Sequence, residues 1–261
     1  LPLAGQAAGL LAALPLPETG LAVEAHLAFN LALAAVIWPF AGLITRLTAL
    51  VLPAPEPAPP TETQLLDSPA QEAPAVALAR ASRAALAIGD VVERMLHQAR
   101  TAFARGDDAP LAEVCILEDR VDRMQQEVKG FLSRLGRDAG EDERRQAITI
   151  LDYVINLEHV GDIIDKGLAP EIRKKAGLSL RFSEEGYREL DRLFLMTIEN
   201  LRVAQTVFMT RDRDLARQLM EEKVEVRRLE RLSAQRHLMR LREGREDSQQ
   251  TSSLHLDILR D

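Results

Sequence analysis

The chain has 261 residues and a formal net charge of −7, a length that suits one or two domains. The negative charge argues against a nucleic-acid partner, because proteins that bind nucleic acid usually carry a basic face. The single cysteine, Cys115, excludes an internal disulfide and a thiol-rich metal site. Only 4% of the residues are aromatic, which favours helices over strands and predicts an all-α fold.

Charge is distributed unevenly along the chain. Before Arg80 the only basic residue is Arg46, whereas the sequence from Arg80 onward is densely charged with both signs. This break indicates lipid as the first environment and water as the second. We therefore expect residues 1–52 to be the end of a membrane domain and residues 76–261 to be a helical bundle in water. The chain starts without a methionine and stops within a helical pattern, so we expect it to be a C-terminally truncated fragment.

One uncharged segment is long enough to cross a bilayer. No charged residue lies between Glu24 and Arg46, and a membrane-spanning helix needs about 20 apolar residues. We therefore predict one transmembrane helix over residues 21–50, with a buried core helix as the alternative. The apolar stretch 1–14 is too short to span and lacks the basic start of a signal peptide, so it is interpreted as the end of an earlier membrane helix.

Two polar residues, His26 and Asn30, lie one helical turn apart in this predicted span. Ionisable and amide groups within a membrane usually face a partner helix or a water-filled path. Both residues are therefore candidates for function, and a polar contact between helices is the alternative.

The flanks of the span predict its orientation. Acidic Glu18 precedes the span and Arg46 follows it. Because basic residues stay on the cytoplasmic side of a membrane, the bundle is predicted to be cytoplasmic.

A proline-rich segment separates the two parts of the chain. Seven prolines fall within residues 53–75, which predicts an extended tether rather than a helix. Beyond it, apolar residues recur at steps of three and four, the period of a helix with one buried face. Six helices with short links predict antiparallel bundles. The predicted helices are 77–105, 109–136, 142–175, 184–211, 213–243 and 249–261.

The six predicted helices read as three helices written twice, first over residues 77–175 and again over residues 184–261. Glu118 in the first set matches Glu222 in the second after one deletion. Identity between the two sets is low, but the acidic residues keep their register. The sequence therefore predicts two related three-helix units.

The apolar stripe of the third predicted helix continues into carboxylates. Residues spaced by three and four share one face of a helix. The apolar members of this face are Ile148, Leu151 and Ile155. The acidic members are Glu158, Asp162 and Asp165. An unpaired buried carboxylate is strongly disfavoured, so a positive partner must compensate these acids.

Acidic pairs at the same spacing recur on two other predicted helices. Glu118 and Asp122 form one pair, and Asp257 and Asp261 form another. Oxygen-rich clusters of this kind suit hard cations such as iron, manganese, magnesium or calcium. The alternative is that the acids pair with basic neighbours such as Lys166 at the edge of the bundle. The spacing alone leaves both interpretations open.

No catalytic motif accompanies these acids. No Glu is followed three residues later by His, which is the pair that di-iron bundles use. The sequence contains no glycine-rich phosphate loop, catalytic serine elbow or zinc-type spacing of Cys and His. His97 and His237 are predicted to lie at the surface or its boundary. We therefore expect no enzymatic activity.

Three motifs resemble a known family. Residues 25–30, Ala-His-Leu-Ala-Phe-Asn, before a span ending in Pro39-Phe40, resemble the last membrane helix of bacterial sodium/phosphate cotransporter family proteins. Residues 156–165, Asn-Leu-Glu-His-Val-Gly-Asp-Ile-Ile-Asp, resemble the most recognisable motif of PhoU-like domains. Residues 251–261 resemble the C-terminal segment of those cotransporters. The order of membrane helix, tether and PhoU-like domain is also that of the family.

The resemblance implies two tandem three-helix bundles with metal clusters at acid–x–x–x–acid motifs. Carried over by position, the first cluster comprises Glu118, Asp122, Glu158 and Asp162. The second cluster comprises Glu222, Asp257 and Asp261. Val226 stands where a partner of Glu222 is expected, which puts the second cluster in doubt. The implied metals are iron, manganese, magnesium or zinc.

The resemblance also implies a function in sodium-dependent phosphate transport, with the bundle sensing phosphate or regulating its uptake. The sodium and substrate sites of the family use Gln-Ser-Ser motifs, which this sequence lacks, so they would lie in a transport core outside it. The implied location is the inner membrane, with lipid, upstream transporter helices, phosphate-signalling proteins and a second copy of the chain as partners. A membrane-tethered phosphate-signalling adaptor and a purely structural oligomerisation bundle are the alternatives.

Overall fold

The computed structural model of this protein describes residues 21–40, 73–135 and 139–261. The chain divides into two compact units, Leu1–Pro59 and Pro60–Asp261, and each is described by itself. Within the described ranges the secondary structure is helical and contains no strand. The predicted all-α class is therefore confirmed.

The first unit contains helix α1, Leu21–Ile37, which continues into a 3-10 turn at Trp38–Phe40. Helix α1 is about 25 Å long, at 1.5 Å for each residue. Its apolar side chains are exposed, among them Leu27, Phe29 and Leu31. Among the residues that the structure describes, no helix is both long enough and apolar enough to cross a membrane.

Part of the predicted membrane domain and tether lies outside the described residues. This holds for the apolar stretch 1–14, for residues 41–50 of the predicted span, and for residues 53–72 of the predicted tether. The last residues of that tether are helical instead, because the next helix begins at Pro74. Proline fits there because the first turn of a helix has no backbone acceptor for its N–H groups.

In the described part of the second unit, eight α-helices follow one another and match the six predicted helices in order. They are α2 Pro74–Arg105, α3 Leu111–Ser133, α4 Glu141–Asp162, α5 Ala169–Gly177, α6 Glu184–Thr210, α7 Arg213–Arg242, α8 Glu246–Gln250 and α9 Ser252–Arg260. A π-helical turn, Ile163–Leu168, joins α4 to α5 without a break. Two short helices, α8 and α9, replace the single predicted helix 249–261.

The ends of these helices have local causes. Gly106 ends α2 with a φ of +66°, a left-handed conformation that glycine adopts without strain. Asp212 starts α7, where its Oδ1 accepts hydrogen bonds from the backbone N–H groups of Asp214 at 2.8 Å and Leu215 at 3.1 Å. These residues lie where the sequence predicts breaks.

The helices of the second unit pack as two groups around one core. Helices α2, α3 and α4 contact one another, α6 and α7 contact each other and α9, and α2 also packs against α6. Gly89 lies at the contact between α2 and α6, where a Cβ atom would lie 2.9 Å from the end of the Gln205 side chain. The predicted repeat of three helices over residues 77–175 and 184–261 stays a prediction.

An aromatic cluster joins the end of α2 to the start of α6. Phe103 is fully buried, and its ring stacks on Tyr187 at 5.3 Å and contacts Phe182 and Phe194. The buried ammonium group of Lys175 lies 5.2 Å from the centre of the Phe103 ring and donates a 2.8 Å hydrogen bond to the Phe103 carbonyl oxygen. Lys175 thereby binds one of the free carbonyl groups at the C-terminal end of α2.

The buried face of α4 differs from the predicted stripe. The buried residues include Ile150 and Val154, whereas Ile148 is 59% exposed and Ile155 is 41% exposed. Both sets recur at helical spacing, but the first forms the core side of α4, and Leu151 of the predicted stripe packs only partly against the core. The prediction of the stripe is therefore wrong by one residue, a rotation of about 100°. The acidic residues beyond it consequently flank the core and do not extend its buried face.

Candidate functional site

Three carboxylates converge where α3 passes the C-terminal end of α4. Glu118 and Asp122 lie one turn apart on α3, and Asp162 is the last residue of α4. One oxygen atom from each residue lies within 4.8 Å of the other two. Glu118 is only 7% exposed, whereas Asp122 and Asp162 are half-buried. These three residues are called the carboxylate cluster below.

Lys166 supplies positive charge to the carboxylate cluster. Its Nζ lies 3.1 Å from Glu118 Oε1 and donates a 2.5 Å hydrogen bond to Asp162 Oδ1. The lysine belongs to the π-helical turn, which is closed by a hydrogen bond from the Ala169 N–H to the Ile164 carbonyl oxygen. Its side chain is 61% exposed, so it contacts the cluster from the solvent side.

The surroundings shift the pKa values of two of the carboxyl groups, those of Glu118 and Asp162, in opposite directions. Burial raises the pKa of Glu118, the hydrogen bond with Lys166 opposes this shift, and the nearby charge of Asp122 adds to it. The hydrogen bond from Lys166 lowers the pKa of Asp162 and, in return, raises the pKa of the lysine. The Lys166 ammonium group therefore stabilises the charged form of Asp162, whereas burial still disfavours the charged form of Glu118.

The other predicted metal ligands lie elsewhere. Glu158 is half-buried on α4 and does not join the carboxylate cluster. Arg260 lies 3.3 Å from Asp257 and 3.4 Å from Asp261. Glu222 is half-buried on α7. In the three described ranges, Glu222 and the two aspartates form no group of converging ligands.

The donor set of the carboxylate cluster suits one hard cation in its chemistry, since three carboxylate oxygen atoms converge. An ammonium group already stands in for such a cation, because Lys166 contacts two of the three carboxylates. The cluster of four carboxylates implied by the resemblance is not assembled, since Glu158 is absent from it. Metal binding at either predicted site stays a prediction.

The polar residues of α1 contact each other through the backbone. The Asn30 side-chain amide donates a 2.8 Å hydrogen bond to the carbonyl oxygen of His26, and both residues are exposed. Such a bond within one helix satisfies the amide without a second helix. A role for either residue inside a membrane stays a prediction.

Sequence reasoning missed a buried polar network between α6, α7 and α9. Glu189 accepts hydrogen bonds from Ser233 at 3.0 Å and from both terminal nitrogen atoms of Arg240, at 3.2 and 3.0 Å. Ser233 also lies 3.1 Å from His255 Nε2, and the His255 ring stacks on His237 at 4.4 Å. These five residues are called the histidine–arginine network below.

The network overturns the predicted surface position of His237, which is 1% exposed. Burial lowers the pKa of His255 to about 3, and the neighbouring His237 and Arg240 act in the same direction. Burial also lowers the pKa of His237. The signal in the sequence is the spacing of Ser233, His237 and Arg240 by four and three residues, which is the spacing of a buried helical face.

A pocket of about 830 Å³ lies between the first half of α4, the end of α6 and the start of α7. Tyr153 and Phe208 stack in its wall with ring centres 4.1 Å apart. Among the residues that the structure describes, the buried Tyr153 hydroxyl group has no hydrogen-bond partner, and burial raises its pKa to about 12. The remaining wall combines small apolar residues with arginine and acidic side chains, so it has no single charge.

Comparison with known proteins finds a matching family model and solved structures that share the fold. Residues 86–167 match the PhoU domain, and this segment contains the whole carboxylate cluster and Lys166. Two solved structures share the fold. The crystal structure of PhoU from Pseudomonas aeruginosa has a TM-score of 0.65 at 21% identity, covering 71% of this chain and 88% of that one. The phosphate transport system regulatory protein PhoU from Streptococcus pneumoniae has a TM-score of 0.61 at 16% identity, covering 72% and 88%.

Two curated relatives match along nearly the whole chain. The candidate inorganic phosphate export protein YjbB of Salmonella typhimurium is 34% identical over 268 residues, covering 100% of this chain and 48% of that protein. The YjbB protein of Escherichia coli K12 is 32% identical over 254 residues, covering 95% and 46%. The chain thus spans about half the length of these relatives. The PhoU-like all-α fold is confirmed, whereas the resemblance to sodium/phosphate cotransporters stays a prediction.

Proposed function

We propose that this chain is the regulatory end of a membrane protein that moves inorganic phosphate, and that its bundle adjusts this movement to the phosphate supply. The observation that supports the proposal most strongly is the match to the YjbB proteins, which runs through both the apolar N-terminal region and the bundle. Their name favours export as the direction of transport. Coupling to sodium is part of the proposal through the resemblance of residues 25–30 and 251–261 to cotransporters.

The shared fold supports a regulatory role for the bundle. The Streptococcus pneumoniae neighbour is named as a regulatory protein of a phosphate transport system. A bundle carried on the same chain as a transport domain has a high effective concentration at that domain. We therefore propose that the bundle acts on its own transporter from the cytoplasmic side of the inner membrane, without catalysing a reaction.

The properties of α1 support a place for it in the membrane part of the protein. The chain carries no charge from Ala25 to Thr45, and the described apolar side chains of α1 are exposed around the helix. A helix that is apolar on all sides is more stable in contact with lipid or with other apolar helices than in contact with water. We propose that α1 and the residues after it contact lipid and upstream transporter helices.

Removal of the bundle should uncouple phosphate movement from the phosphate supply. Cells that express the intact protein, or the same protein lacking residues 74–261, are loaded with radioactive phosphate and their efflux and uptake are followed after growth at low and high phosphate. We expect the intact protein to change its rate with supply and the shortened protein to lose that change. Equal amounts in the membrane fraction are the control. Identical rates and identical regulation for both proteins would contradict the proposal.

The exposed thiol of Cys115, the only cysteine in this chain, reports on the side of the membrane that the bundle occupies. When spheroplasts that carry the chain are treated with a membrane-impermeant maleimide, Cys115 should stay unlabelled until the spheroplasts are lysed. The matched control is the double variant Cys115→Ser, Thr19→Cys, whose thiol lies next to Glu18, before the predicted span and on its other side, and should react before lysis. Labelling of Cys115 in intact spheroplasts would place the bundle outside.

A further inference from the structure

The outer side of α7 carries a line of exposed arginine residues. Acidic residues outnumber basic ones in the whole chain by 40 to 33, but α7 contains nine Lys and Arg residues and five Asp and Glu residues. Residues that recur at steps of three and four share one face of a helix. The exposed arginines on this face are Arg213, Arg217, Arg227, Arg231 and Arg242. They lie within an arc of about 80° and extend along the whole helix, a length of about 45 Å.

Three apolar side chains lie among these arginines. They are Met220, Val224 and Leu238, and each is more than half exposed. The five arginines, these three residues and Gln235 are called the α7 stripe below. Within α7, which the structure describes in full, the acidic residues lie outside this arc. The stripe also faces away from the buried side of α7, where His237 lies, so it takes no part in the core.

Most of the positive charge of the α7 stripe is not compensated within the bundle. Arg217 lies 2.8 Å from Asp214, but both side chains are exposed, and exposed ion pairs are weak. The other four arginines form no ion pair with any residue that the structure describes. A helix face that exposes arginine together with apolar side chains is typical of helices that lie on the surface of an anionic membrane.

The composition of the α7 stripe favours lipid over other acidic surfaces. It contains no aromatic residue on which a nucleobase could stack. A membrane surface can contact a straight helix along its whole length, and its anionic headgroups attract arginine side chains. The three apolar side chains can then enter the boundary between headgroups and acyl chains, while the arginines keep their charged ends among the headgroups.

We infer that the α7 stripe is a docking surface for a membrane that contains anionic phospholipid. The docked bundle lies with α7 along the membrane surface. The inference rests on the proposed function in one respect, because a place for α1 in the membrane gives the stripe a high effective concentration at lipid. The contact depends on lipid charge and weakens with salt, which screens charges at a surface.

The test measures the distance of the α7 stripe from lipid in the full chain. The variant Cys115→Ser, Gln235→Cys carries one fluorescent dye on the stripe and is reconstituted in vesicles that contain a nitroxide-labelled quencher lipid. The vesicles consist of phosphatidylcholine, alone or mixed with phosphatidylglycerol. We expect quenching of the dye in the mixed vesicles and little in phosphatidylcholine alone. Quenching should disappear at about 1 M salt, where charges more than about 3 Å apart are screened.

Two triple variants separate the α7 stripe from general changes in charge. Each arginine near an anionic surface strengthens binding about fivefold, so loss of three should weaken the contact about a hundredfold. The stripe variant replaces Arg217, Arg227 and Arg231 by Gln, and it should lose the quenching. The matched control replaces three exposed arginines of other helices by Gln, and it should keep the quenching. These are Arg105, Arg123 and Arg188. Equal melting temperatures show that both variants are folded.

A second dye position distinguishes failure of this inference from failure of the proposed function. In Cys115→Ser, Leu33→Cys the dye lies on α1, and it should be quenched in both kinds of vesicle. Absence of that quenching would overturn the place of α1 in the membrane, whereas the dye at position 235 still tests the α7 stripe. Equal quenching at position 235 with and without phosphatidylglycerol, no quenching there in either, or quenching that survives in the stripe variant would overturn the inference.

Discussion

Replacement of Phe103 by alanine should lower the free energy of unfolding by about 4 kcal/mol, the cost typical of removing a fully buried phenyl ring. Phe103 is completely buried, and its ring contacts Phe182, Tyr187 and Phe194. The variant leaves a cavity where α2 meets α6 and removes the aromatic face beneath the Lys175 ammonium group. Urea-induced unfolding followed by circular dichroism measures this loss.

Two further variants show whether the loss arises from packing. Phe103→Leu keeps most of the buried volume and should cost about 1.5 kcal/mol. Leu178→Ala removes a large apolar side chain that is 63% exposed, so it should change the free energy of unfolding by less than about 0.5 kcal/mol. A loss below about 1 kcal/mol for Phe103→Ala would mean that the aromatic cluster does not hold α2 against α6.

Acidification from pH 7 to pH 5 should destabilise the fold by about 2 kcal/mol through His255 alone. Burial holds the pKa of His255 at about 3 in the folded state, against about 6.5 for a histidine in the unfolded chain. The unfolded chain therefore binds a proton that the folded chain does not, and stability is lost as the pH falls below 6.5. The lowered pKa of His237 acts in the same direction.

The slope of the free energy of unfolding against pH, taken from urea titrations between pH 5 and pH 7, measures this effect. His255→Phe keeps an aromatic ring against His237 but cannot bind a proton, so it should lose most of the slope. His97 is exposed, and His97→Phe should keep it. An unchanged slope in His255→Phe would show that other groups cause the acid sensitivity. Asp162, whose pKa is lowered, would destabilise the fold only under more acidic conditions.

Local signals predicted much of the fold. Glycine at Gly106 and the acceptor side chain at Asp212 end and start helices for reasons that lie within a few residues of each break. The i,i+4 spacing of Glu118 and Asp122 likewise places both on one face of α3 without any tertiary information. For that reason the order of helices and part of the carboxylate cluster could be predicted from the sequence.

Features that depend on two helices could not be predicted in this way. Helix α4 has two overlapping apolar stripes, and only its packing against α2 and α3 selects the one through Ile150. The contact of Lys166 with Glu118 joins residues of two elements, so the spacing of the acids alone favoured neither lysine nor metal. The histidine–arginine network was missed because polar residues on a helix are normally read as its solvent face.

The π-helical turn at Ile163–Leu168 has a consequence for the phase of the helix that contains it. A π-turn carries one residue more than an α-helical turn and so shifts every later side chain by about 100° relative to the earlier ones. Before the shift Asp162 faces Glu118 on α3, and after it Lys175 faces the Phe103 carbonyl group on α2. Loss of a single residue from the turn would put these two contacts out of phase. One continuous helical segment can therefore serve two neighbouring helices because its turns are not all equal.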